Sequence, residues 1–126
     1  DDSPPVRLWK EWNETRRLIA APALLYYEVA NALYRYVIHG HLRLGHAIAA
    51  LEAALSLHIV LYNDADLHIR ALEIAERLGL SATYDAHYLA LAEWLGAEFW
   101  TADQRLVKAV KEALPWVRAL PQENIG

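Results

Sequence analysis

Three carboxylates stand out by position: Glu28, Asp85 and Asp103. Glu28 lies in Ala23-Leu-Leu-Tyr-Tyr-Glu-Val-Ala-Asn-Ala-Leu33, so on a helix its neighbours are Leu24, Leu25, Asn31 and Ala32. An ionised carboxylate on so apolar a surface is costly unless paired or bound to metal, although a place at the stripe's edge, facing water, would remove that cost. Asp85, in Leu80-Ser-Ala-Thr-Tyr-Asp-Ala-His-Tyr-Leu89, and Asp103, two residues beyond Thr101, each fall in the first turn of an expected helix. Complementing the helix dipole, worth about 0.3–1 kcal/mol, accounts for either acid taken alone. Placement joins them. In an α/β sheet the strand ends and the following helix starts share one edge, and ligands gather there. Asp103 follows a strand directly, Asp85 reaches the edge if its helix starts beside it, and Glu28 sits in the second turn of a helix that follows a strand. Three carboxylates brought together repel and need a cation. Oxygen donors, without cysteine or a well-placed histidine pair, suit Mg²⁺ or Mn²⁺.

The elements that must hold these residues alternate in type. Ser3-Pro4-Pro5 reads as a cap and first turn of a helix over 4–14. Residues 17–21 form a short apolar strand, Pro22 opens a helix over 23–39 stopped by Gly40, and a further helix spans 43–56. His58-Ile-Val-Leu-Tyr62 is a β-branched strand, and Asn63 and Asp64 cap a helix over 65–78. Helix 84–95, strand 98–101, helix 103–113 and strand 116–120 complete the chain; Thr101-Ala-Asp-Gln104 matches a capping box with Thr101 as the cap. Strands alternating with amphipathic helices predict one α/β domain over 1–126, three layers with a mostly parallel central sheet flanked by helices. Ala75-Glu-Arg-Leu-Gly-Leu80 resembles Ala92-Glu-Trp-Leu-Gly-Ala97; this is either half of a helical-hairpin repeat or two helices that both end in Leu-Gly.

Bulk properties narrow the classes. The 126 residues are 56% apolar, enough for one folded core and against disorder. A net charge of −4 argues against a broad basic nucleic-acid surface. The absence of cysteine excludes disulfides and thiolate chemistry. The apolar run from Leu18 to Tyr27 contains Pro22 and is too short to span a membrane. Arg35, Arg43, Arg105 and Lys108 are candidates to touch phosphates, or are solvated surface charges. His39-Gly-His41 and His46 read as a polar loop, and His87, two residues beyond Asp85, points away from it on a helix. Tyr26, Tyr27, Tyr34 and Tyr36 surround one helix, more than one buried stripe can hold, so some of them fit an interface.

Glu-Val-Ala-Asn-Ala-Leu at 28–33, Tyr-Asp-Ala-His-Tyr-Leu-Ala-Leu-Ala-Glu at 84–93 and Trp-Thr-Ala-Asp at 100–103 together resemble the PIN-domain ribonucleases, most of all toxins of the VapC type. The resemblance covers essentially the whole chain. It implies that Glu28, Asp85 and Asp103 are metal-binding catalytic acids and that Thr101 helps position the site. It further implies Mg²⁺- or Mn²⁺-dependent cleavage of RNA by metal-activated water, a homodimer, a small antitoxin that blocks the cleft, and a cytoplasmic setting. One part of the pattern has no match: a central strand ending in aspartate at the start of the domain. Asp1 and Asp2 align with a later acidic loop instead. The expectation is therefore a PIN-like domain lacking its N-terminal strand, with a catalytically incomplete interaction domain as the alternative.

Overall fold

A computed structural model describes residues 3–122. The chain divides into two units, Leu18–Asn63 and a second built from Asp1–Arg17 and Asp64–Gly126. The elements are, in order, α1 (Pro4–Glu14), β1 (Ala20–Pro22), α2 (Leu25–Ile38), α3 (Leu44–Leu55), β2 (Val60–Tyr62), α4 (Ala65–Leu78), α5 (Tyr84–Leu95), β3 (Phe99–Thr101), α6 (Gln104–Val110) and β4 (Val117–Ala119). Strands short and parallel, separated by helices, make this the expected α/β fold.

In the Leu18–Asn63 unit, β1 and β2 pair in parallel, Ala20 opposite Val60 and Pro22 opposite Tyr62. The Ala23 N–H continues the ladder to the Tyr62 carbonyl at 2.8 Å. Pro22 therefore ends a strand, where the sequence reading has it open a helix. Its fixed φ serves either position, and at a strand's last residue the missing N–H removes little. Helix α2 starts at Leu25 and packs on α3, tied by the Tyr26 hydroxyl donating to the Ala54 carbonyl at 2.9 Å. Ala21 and Ala47 are buried here.

The other unit holds most of the core. Helix α4 buries Leu67, Ala71, Ile74 and Ala75, an i, i+4, i+7, i+8 stripe. It packs on α5, in which Ala86, Leu89 and Ala90 are buried. Ile74 and Leu89 are among the largest fully buried side chains. Leu106, Val110, Leu114 and Val117 extend this core under α6 and β4. Strands β3 and β4 pair in parallel, Phe99 opposite Val117 and Thr101 opposite Ala119. Trp12 of α1 meets Trp100 of β3 edge to face, with centroids 5.5 Å apart. Helix α6 stops at Val110, short of the expected 113, ahead of Pro115.

Both α4 and α5 end in the same way. Gly79 and Gly96 turn left-handed at φ 67° and 63°. The next amide donates back to a carbonyl five residues earlier, Leu80 to Ala75 and Ala97 to Ala92, each at 2.9 Å. The likeness between 75–80 and 92–97 is thus a shared helix stop on two helices of an α/β unit, and the repeat reading falls away. Arg16 makes the same turn at φ 56° without being glycine, with the Arg17 N–H donating to the Trp12 carbonyl at 2.9 Å.

Candidate active site

Asp103 is the best-defined of the expected site residues. Its Oδ1 accepts from the Arg105 and Leu106 backbone amides at 3.0 and 3.1 Å, which caps α6. Its own N–H donates to Thr101 Oγ1 at 3.1 Å. This corrects the capping-box expectation: Thr101 is the last residue of β3, and Asp103 is the cap. Thr101 acts one step earlier, fixing the turn that presents Asp103. Since Oδ1 is held by the helix, the exposed carboxylate keeps Oδ2 for other work.

Asp85 occupies the first turn of α5 and is exposed. One turn on, Tyr88 stacks on Phe99 with centroids 5.6 Å apart. Leu95 is the last residue of α5, so a contact from Tyr88 to Phe99 means the chain doubles back along the helix after Gly96. Thr101 ends β3, and Asp103 follows two residues on as the cap of α6. Two acids of the expected trio therefore share one unit and two helix starts.

Glu28 belongs to the Leu18–Asn63 unit. It lies in the first turn of α2, not the second, because the helix begins at Leu25. The side chain is exposed, so it stands at the margin of the apolar stripe. Carboxylate oxygens of this kind suit Mg²⁺ or Mn²⁺ by donor chemistry. Among the described residues, no three side chains of His, Asp or Glu converge on a point that could hold a metal ion. Asp1 and Asp2 lie outside the described residues.

Arg35, Arg43, Arg105 and Lys108 are all exposed, and Arg105 and Lys108 ride on the helix that Asp103 caps. His39 and His41 stand edge to face across the end of α2, with centroids 6.5 Å apart. His87 is neither isolated nor fully exposed: its Nδ1 lies 2.6 Å from the Thr83 carbonyl and its Nε2 lies 3.0 Å from His68 Nδ1.

Sequence reasoning missed His68, and it missed the clamp between Arg70 and Glu93. There Nε and Nη2 donate to the two carboxylate oxygens at 2.7 and 3.0 Å. The hydrogen bonds from Arg70 hold the Glu93 carboxyl below its usual range, and those to Glu93 hold the Arg70 guanidinium above its own. The clamp fixes the register of α4 on α5, the helix that presents Asp85. No local signal marks such pairs, since they depend on how two helices meet.

The PIN domain family matches residues 1–112, so the chain belongs to the PIN domain family. A comparison with curated proteins matched none of them. PIN domains are in general nucleases that act on RNA and use divalent metal ions, which gives the helix-start acids a chemical context. Among the described residues, no helix is long and apolar enough to cross a membrane.

Proposed function

We propose that this protein is a Mg²⁺- or Mn²⁺-dependent endoribonuclease, the toxin half of a VapC-type toxin–antitoxin pair. The observation that carries the reading is the Thr101–Asp103 turn: a strand-end hydroxyl accepts from the Asp103 backbone N–H, and the Asp103 carboxylate caps α6 through Oδ1 and keeps Oδ2 available. In this reading Asp103, Asp85 and Glu28 hold the ion, directly or through water. The bound ion supplies an acidified water and charge stabilisation at the scissile phosphate. Thr101 holds the backbone turn that presents Asp103, one of the carboxylates orients the attacking water, and Arg105 and Lys108 draw the phosphate backbone toward α6. Exposed Tyr27, Tyr34 and Tyr36 on α2 support a protein-binding face for a second copy or a small antitoxin, in a cytoplasmic setting.

The full-length protein should cleave RNA with Mg²⁺ or Mn²⁺ and stop when a chelator is added. Asp85→Asn should lower cleavage roughly 10²-fold or more, about 2.7 kcal/mol on the barrier. Undiminished cleavage by both Asp85→Asn and Asp103→Asn would sink the proposal. A second reading, a PIN domain that binds a protein partner without cutting, is favoured by the lack of a three-ligand cluster among the described residues. It predicts no metal-dependent cleavage from the full-length wild type at any Mn²⁺ concentration.

A further inference from the structure

We propose that His68 and His87 form a second metal site, separate from the carboxylates, that takes Ni²⁺ or Cu²⁺ and clips α4 to α5. His87 is prepared for this role. A backbone carbonyl only accepts, so the 2.6 Å contact to the Thr83 oxygen puts the His87 proton on Nδ1 and leaves Nε2 with its lone pair. A histidine whose other nitrogen donates to a carbonyl is the usual form of a metal-ligating imidazole, with ring orientation and tautomer both fixed. That lone pair is aimed at His68 Nδ1, 3.0 Å away across the helix pair.

The 3.0 Å between the nitrogens is a hydrogen-bond distance, so His68 must swing aside before an ion can take its place on the His87 lone pair. Imidazole donors suit the late first-row divalent ions, and at a given nitrogen site affinity rises from Ni²⁺ to Cu²⁺. In the metal-free pair, His68 Nδ1–H donates to His87 Nε2. Coordination moves that proton to His68 Nε2, so no proton is released when both rings start neutral. The exposed His68 ring then turns, while His87 stays anchored to Thr83. One hydrogen bond is exchanged for two coordinate bonds, and water fills the other positions. Hard Mg²⁺ has little affinity for such nitrogen donors.

Titration of the purified full chain with NiCl₂, by calorimetry in the presence of excess MgCl₂, tests this. One Ni²⁺ should bind without displacement by Mg²⁺ and raise Tm by a few degrees, and Cu²⁺ should bind more tightly. His68→Gln, at an exposed position, should fold normally and lose at least ~10-fold in Ni²⁺ affinity, the scale of a lost ligand or its support. A His39→Gln/His41→Gln variant should retain wild-type affinity. Substoichiometric Cu²⁺ should broaden the ring resonances of His68 and His87 first. The proposal is overturned if wild type takes up no Ni²⁺ at millimolar concentration. It is equally overturned if His68→Gln binds as well as wild type, or if the His39/His41 variant is the one that loses the ion. None of these readouts involves RNA cleavage.

Discussion

Asp103 caps α6 through Oδ1 and, in the proposed function, serves the ion through Oδ2, and two substitutions separate these roles. Asp103→Ala removes both first-turn acceptor bonds, those from Arg105 and Leu106. Loss of a cap costs about 1 kcal/mol, and loss of a negative charge at the helix start about 0.3–1 kcal/mol more. Leu106 and Val110, both buried, depend on this seven-residue helix, so the upper end of the range applies, about 1.5–2 kcal/mol. With an unfolding entropy of about 2.1 cal/mol/K per residue, that lowers Tm by roughly 6–8 °C if the chain unfolds as a whole. Asp103→Asn keeps an Oδ1 acceptor, and asparagine caps as well as aspartate. It loses only the charge, so Tm should fall by roughly 1–4 °C. Both variants, however, lose the anionic ligand, and cleavage of an RNA substrate should drop roughly 10²-fold or more in each. Thermal denaturation by circular dichroism and a fluorogenic RNA assay in Mn²⁺ measure the two effects on the same samples. Equal Tm losses in the two variants would refute the capping argument. Wild-type cleavage by the asparagine variant would refute the ligand role.

Thr101→Val keeps the β-branched shape but removes the acceptor for the Asp103 amide. Tm should fall by a few degrees with a partial loss of cleavage, and Thr101→Ser should restore both. Leu89→Ala empties a fully buried position on α5 and should cost about 2–5 kcal/mol in denaturant titration. Arg16→Gly relieves a left-handed turn and should stabilise by about 0.5–1 kcal/mol, with the denaturation midpoint as the measure. Glu93 has a lowered pKa when folded, so its pairing with Arg70 stabilises above the unfolded value near 4.3 and is lost as pH falls through the folded value. Both side chains are about a third exposed, 35% and 37%, which limits the effect to roughly 0.3–1 kcal/mol. Glu93→Gln should therefore narrow the stability gap between pH 7 and pH 3, and an unchanged gap would exclude this pair as its source.

What the sequence reveals depends on how local the cause is. The bounds of α1, α4 and α5 match their expected ranges, because proline at a helix start and glycine at a helix stop act through their own backbone torsions. Arg16 shows the limit of that signal. The same left-handed stop is made by a residue that advertises nothing, since the hydrogen bonds from Arg16 and Arg17 back to Asn13 and Trp12 hold it there. Pro22 and Thr101 fail for a different reason. Each suits two positions equally by torsion or hydrogen bonding, and strand pairing with Tyr62 and Ala119 decides between them. His68 with His87 and Arg70 with Glu93 are invisible because a helix-to-helix register, not a motif, brings them together.

The same distinction bears on the site. Asp85 and Asp103 are legible as first-turn acids because their positions follow from local rules, but how the strand before Asp103 lies against α5 is not a local matter. The stop at Gly96 ends α5 and sends the chain back along the helix, so that Tyr88 meets Phe99. A Cβ at Gly96 would meet no atom within 4 Å, so the demand there is for torsion, not for space. An alanine at that position would carry a penalty of about 1 kcal/mol, felt at the turn that fixes how far β3 runs back. The residue that sets the course of β3 is thus one with no side chain and no chemistry.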